Sequence, residues 1–122
     1  DGVNWEKHGE PVLRPGASGD WDDESLWGCS VLKTRDGWEM FYSGSHSGAV
    51  QIGYATSDDG IHWTRYDGNP IFTLEEDPVA TKSEPYVLES PFVVFNSSTY
   101  LLYYDYGFPK GGIGAATAKT IP

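Results

Sequence analysis

The sequence predicts an all-β protein built from β-propeller blades. Three observations carry this expectation: a composition suited to strands and tight turns, a unit of about 60 residues that occurs twice, and four short strand patterns per unit. Aromatic residues make up 15% of the 122 residues and glycine numbers 15, with no Ala-, Leu- or Lys-rich stretch to favour helix. The formal charge is −10, from 8 basic against 18 acidic residues. With no basic stripe to neutralise phosphates, nucleic acid and anionic membranes are excluded as partners, while sugars and cations suit an acidic, aromatic surface. No apolar run approaches the length of a membrane-spanning helix. The single cysteine, Cys29, allows no internal disulfide; its apolar flanks predict a buried thiol, and it leaves the compartment open.

The repeat is visible on self-comparison. "DGVNWEKHGEPVL" (1–13) matches "DGIHWTRYDGNPIF" (59–72), "GWEMFYSG" (37–44) matches "TYLLYYDY" (99–106), and "QIGYATS" (51–57) matches "GIGAATA" (112–118). Fixed periods of this size mark stacked architectures.

In chain order, residues 1–13 read as a fourth strand without its own first three. The first complete unit follows over 14–72. Its strands are expected near 27–34, 38–44, 50–57 and 62–72, each bounded by Gly, Asp, Asn or Ser. "RDGW" (35–38) is a hairpin signal, because Gly supplies the positive φ that such turns need. The second unit, 73–122, has strands near 87–95, 99–106 and 112–118, and its fourth is missing. A single sheet of this kind cannot bury both faces, so units stack around an axis. The orphan strand 1–13 is expected to pair along 112–118, in its own ring or a neighbouring chain. Two blades do not close a ring, so a homo-oligomer is expected if the chain is complete, most simply a six-bladed trimer.

The paired Asp-Gly-x-x-Trp phrases resemble two carboxylates of one site, but each falls in a turn between strands three and four. Asp59 is expected to accept backbone N–H bonds, Gly60 to turn the chain and Trp63 to pack; Asp1, Gly2 and Trp5 repeat the pattern.

"IGYATSDDGIHWTRYDGNPIF" and "GWEMFYSG" resemble the repeat of the five-bladed propeller glycosidases, the superfamily of glycoside hydrolase families 43 and 32. The resemblance spans nearly the whole chain and implies an axial pocket that binds carbohydrate, with glycoside hydrolysis when the ring is complete. A non-catalytic binding or self-assembling module is the alternative. "LESPFVVF" (88–95) is similar to the family's Glu-x-Pro phrase at the start of an innermost strand, which implies Glu89 as general acid. Leu88 and Phe92 would shield that carboxyl from water, the setting such an acid uses. Glu84 in "SEP" is a rival, and a plain strand cap or a pair with Lys82 is the alternative role for Glu89. "LWGCSVL" (26–32) resembles the family's Trp-Ala-Pro-Asp phrase, but Cys29 replaces Pro and Ser30 the acid. Common glycosidases use two carboxyls about 5–9.5 Å apart, and the second has no direct match here.

The acidic stretch "GDWDDESLW" (19–27) offers substitutes. Asp22, Asp23 and Glu24 precede the first innermost strand, on the side where the resemblance puts the pocket, and are candidates for a base, Asp23 and Glu24 foremost, or for oxygen ligands of Ca²⁺. No other cofactor is expected, and a solvated acidic loop is the alternative. Trp27, and after it Trp21, are candidate platforms for a sugar ring; Trp27 holds the place in its strand that Glu89 holds in the second unit. His46 and Lys110 lie in matched loops on the same face and are further candidate contacts to substrate.

Overall fold

The computed structural model describes residues 2–77, 87–107 and 110–122. Within them the protein is β-structure joined by turns, with one short 3-10 turn at Leu74–Glu76. The first sheet orders its strands β1 (Ser25–Lys33), β2 (Trp38–His46), β3 (Ala49–Ser57) and β4 (Thr64–Arg65). The second orders β5 (Leu88–Phe95), β6 (Tyr100–Tyr106) and β7 (Gly112–Ala118). Every neighbouring pair is antiparallel. This is the meander of two successive blades, and six of the seven strands lie within about two residues of their expected bounds.

Alternation along the strands gives each sheet two faces. Phe41, Ile52 and Tyr54 of the first sheet meet Leu88, Val93 and Tyr104 of the second in the main core. The opposite face of the first sheet buries Met40, Tyr42 and Ala55 under Leu13, Trp21, Leu26 and Trp63. The first sheet therefore stands between the N-terminal segment and β7. For this reason the expected pairing of 1–13 with 112–118 is not made within one chain: residues 2–12 are exposed and form no strand, and β7 pairs only with β6 among the described residues.

Two other expectations are corrected. The fourth strand of the first unit shrinks from 62–72 to Thr64–Arg65, because Asn69 takes over the partner's role. Its side-chain amide accepts from the Tyr54 N–H (2.8 Å), a bond that a neighbouring strand would make, and donates to the Tyr54 carbonyl (2.8 Å), which also accepts from the Tyr66 N–H at 3.0 Å. Cys29 is exposed rather than buried, since it lies with Val31 on the part of β1 that no sheet covers.

Asp59 behaves as a joint. Its carboxylate accepts from the N–H groups of Ile61 and His62, both 2.8 Å, and pairs with the His62 ring, while Trp63 donates to the Gly60 carbonyl. Gly60 has φ 79°, in the left-handed region.

Candidate functional site

Both innermost strands, β1 and β5, carry a β-bulge near their starts. Trp27 and Gly28 together oppose one residue of β2, between the pairs Leu26–Gly44 and Cys29–Tyr42. Ser90 and Pro91 do the same on β5, between Glu89–Asp105 and Phe92–Tyr103. Bulges twist a strand and re-aim its side chains, which is why they occur at barrel rims and sites. Leu26 pairs with Gly44 as Leu88 pairs with Tyr106, and Gly44 and Tyr106 are matched positions of the repeat. Counted along the repeat, Trp27 and Glu89 thus hold equivalent places, as the sequence predicts, with Trp27 inside its bulge and Glu89, paired with Asp105, immediately before its own. Trp27 is 56% exposed and Glu89 half-buried. Leu88 is fully buried but Phe92 is 61% exposed, so apolar shielding reaches the Glu89 carboxyl from one flank only.

The two bulged strands are sewn together. The bulge releases the Ser90 N–H from the ladder, and the fully buried Ser43 hydroxyl accepts it at 3.0 Å. The Ser30 hydroxyl accepts from the Val93 N–H at 3.1 Å. Ser30 stands where the resemblance places an acid, and in this chain it is a clasp between sheets.

Asp22, Asp23 and Glu24 divide into two roles. Asp22 is 1% exposed, accepts from the Tyr42 hydroxyl (3.1 Å) and pairs with Arg65 Nε (3.0 Å). Burial, and then the Asp22 charge, push the Tyr42 hydroxyl's pKa well above its ordinary value. Arg65 also donates to the Arg14 carbonyl, so the group ties residues 14–22 to β4. Asp22 is thus a strut and not part of a solvated loop.

Asp23 and Glu24 remain at the start of β1. Asp23 Oδ1 lies 2.7 Å from His46 Nδ1, and its Oδ2 accepts from the Gly19 N–H at 2.6 Å. The His46 contact, then the Gly19 N–H, hold the Asp23 carboxyl below the usual range; the same contact raises the His46 pKa. Glu24 is exposed and joins them: one donor atom from each of Asp23, Glu24 and His46 lies within 4.8 Å of the others. His46 is delivered by a turn the sequence analysis did not read. His46 pairs with Ala49 across Ser47 (φ 51°) and Gly48 (φ 80°), a two-residue hairpin of the kind with both central residues at positive φ. The Ser-Gly pair was its signal. A parallel bridge between Val50 and Val87 brings this hairpin beside the start of β5, on the side of Glu89.

Trp21 packs on Tyr42, ring centroids 5.7 Å apart, and fills space that only glycine leaves open: a Cβ on Gly53 would stand 2.5 Å from its ring. Its ring is partly buried and packs against the core on the Tyr42 side. Lys110 is exposed. Glu84 and Lys82 lie outside the described residues. A cleft of about 260 Å³ between the sheets is lined by Phe41, Phe72, Val93, Leu102 and Ile121 among others, and neither Glu89 nor Asp23 lines it.

The architecture is shared with known proteins. A thermostable family-43 glycoside hydrolase superposes with a TM-score of 0.65 at 23% identity, over 92% of this chain and 39% of that structure. The chain has the fold of the glycosidase β-propellers. Two curated relatives are similar in sequence. An uncharacterised protein of Mycobacterium tuberculosis is 30% identical over 100 residues, covering 78% of this chain and 31% of the relative. A beta-1,2-mannobiose phosphorylase of Thermoanaerobacter is 26% identical over 113 residues, covering 80% and 35%. No family model matches the chain. This propeller segment spans about a third of the length of these relatives.

Proposed function

We propose that this chain supplies one side of a carbohydrate-binding pocket at the axis of a propeller, with Glu89 as the general acid and Trp27 as the platform for a sugar ring. The observation that carries the reading is the matched placement of Trp27 and Glu89 at the bulged starts of the two innermost strands. An indole there offers a broad apolar face to the C–H side of a sugar. A carboxyl there can protonate the leaving glycosidic oxygen, while the partner carboxylate comes from another blade or from Asp23 or Glu24. The phosphorylase relative adds inorganic phosphate to water as an acceptor to be tried.

The test is a panel of aryl glycosides and β-linked disaccharides, with and without phosphate, on the wild type and Glu89→Gln. A general acid contributes about 10²–10⁴-fold, so Glu89→Gln should lower the rate at least about 100-fold with sugar binding kept. Equal rates in the two proteins would discard the assignment. A second reading, a binding or self-assembling module without chemistry, is favoured by Ser30, whose hydroxyl serves Val93 where an acid is expected. Sugar binding that depends on Trp27, with no turnover in any arm, would support it.

A further inference from the structure

We infer that Asp23, Glu24 and His46 form a binding site for a divalent transition ion of the Zn²⁺ class at the start of β1. Three ligands of two kinds converge there: adjacent carboxylates from the residues leading into β1, and an imidazole from the end of β2. Nitrogen and oxygen donors bind such ions at about 2.0–2.2 Å, so donors of one ion stand at most about 4.4 Å apart. The three atoms already lie within 4.8 Å of one another, and the flexible, exposed Glu24 side chain can close the remaining few tenths of an ångström. The Asp23–His46 pair, at 2.7 Å, opens slightly as the ion replaces the hydrogen that bridges it.

The supports of the ligands are built in. Asp23 spends Oδ2 on the Gly19 N–H, which orients the carboxylate and leaves Oδ1 for an ion. The Glu24 N–H donates to the Ser45 carbonyl at 3.1 Å, one residue before His46, so the backbones carrying the ligands are bonded to each other. The tight Ser47–Gly48 hairpin fixes the other flank of His46. Partners of this kind, outside the ligand set, are what hold ligands in place at metal sites. Buried Asp22, committed to Arg65 and Tyr42, is not a ligand.

The donor set selects the ion. Ca²⁺ prefers six to eight oxygens, whereas one imidazole with two carboxylates suits Zn²⁺, Co²⁺ or Mn²⁺ and leaves coordination positions free for water or a ligand oxygen. The inference stands apart from the assignment of Glu89, because its test reads binding and not turnover.

Zn²⁺ and Co²⁺ titrations of the purified protein, followed by calorimetry and by the visible bands of bound Co²⁺, should give one ion per chain. His46→Ala and Glu24→Gln should each weaken binding at least tenfold, and millimolar Ca²⁺ should not displace the ion. His62→Ala is the control, since His62 with Asp59 is the other exposed His–carboxylate pair of the described residues, and it should leave the affinity unchanged. Glu24→Gln keeps the proposal open to test if His46→Ala proves unfolded, because the Glu24 carboxylate makes no hydrogen bond within the described residues. Absence of stoichiometric binding, affinity unmoved by Glu24→Gln, or affinity lost with His62→Ala would overturn the site.

Discussion

Asp22 and Asp59 are both acidic residues of acid-rich stretches, and they work under opposite conditions. Asp22 is buried with Arg65, whose side chain is 32% exposed. Removing one partner of a buried pair leaves the other charge uncompensated, at about 3–5 kcal/mol when both are buried, and water reaching Arg65 lowers this to about 2–3 kcal/mol. Asp22→Ala should therefore shift the urea midpoint down by an amount of that order, with Asp22→Asn milder, because it still accepts from Tyr42. A midpoint equal to wild type would contradict the strut role. Asp59 is exposed, and its carboxyl is held well below the usual range by the His62 ring, then by the N–H groups of His62 and Ile61. A depressed carboxyl stabilises the fold above its unfolded value, about 3.9, and that contribution is lost as pH falls through the lower folded value. Below about pH 4 the wild type should thus lose its advantage over Asp59→Asn, and melting curves between pH 6 and pH 2 should converge. The role of Asp59 was legible in the sequence because every partner lies between Ser57 and Trp63. The pairing of Asp22 with Arg65, 43 residues away, was not, because no local pattern encodes it.

At the scale of elements, the two sheets are joined by hydroxyls as well as by a core. Ser43 is 0% exposed and is the acceptor for the Ser90 N–H that the β5 bulge frees. Ser43→Ala removes the partner of that N–H, and because Ser90 itself is exposed and water can take over the bond, the loss is about 1 kcal/mol. Hydrogen exchange of the Ser90 amide should accelerate by more than exchange elsewhere in β5. An unchanged rate would show that the bond does not hold the seam. The same reasoning gives Ser30→Ala a similar, smaller cost through Val93. Gly37 governs the β1–β2 hairpin: at φ 146°, a Cβ there would stand 2.6 Å from the Ser57 carbonyl oxygen. Strands were legible because alternation and Asp-Gly turns are local signals, and "RDGW" marks this hairpin correctly. The bulges and the Asn69 substitute for a strand were not, since each depends on what the neighbouring strand presents, whereas the His46 hairpin carried a local signal in Ser47–Gly48.

At the scale of the molecule, the repeat itself exposes an incomplete packing. Phe41 and Ile52 of the first sheet are 3% and 0% exposed because the second sheet covers them. Their repeat equivalents in the second sheet, Tyr103 and Ile113, are 40% and 75% exposed, beside Phe92 at 61%. The same face is therefore core in one blade and surface in the next, and its chemistry calls for another sheet. For this chain taken alone, further blades can come only from other copies, as a closed assembly of three chains would provide. Light scattering on the isolated chain should then give a mass that is a multiple of 13.4 kDa and rises with concentration. Ile113→Asp places a charge in the middle of the face and should return the mass to that of one chain without loss of β-structure in circular dichroism. The main core is filled by residues of the two sheets and by Ile71, Phe72, Leu74 and Ile121 of the same chain, so the folded state of the variant should survive. A wild type that stays monomeric up to high concentration would remove self-assembly through this face and leave its covering to blades of a longer polypeptide.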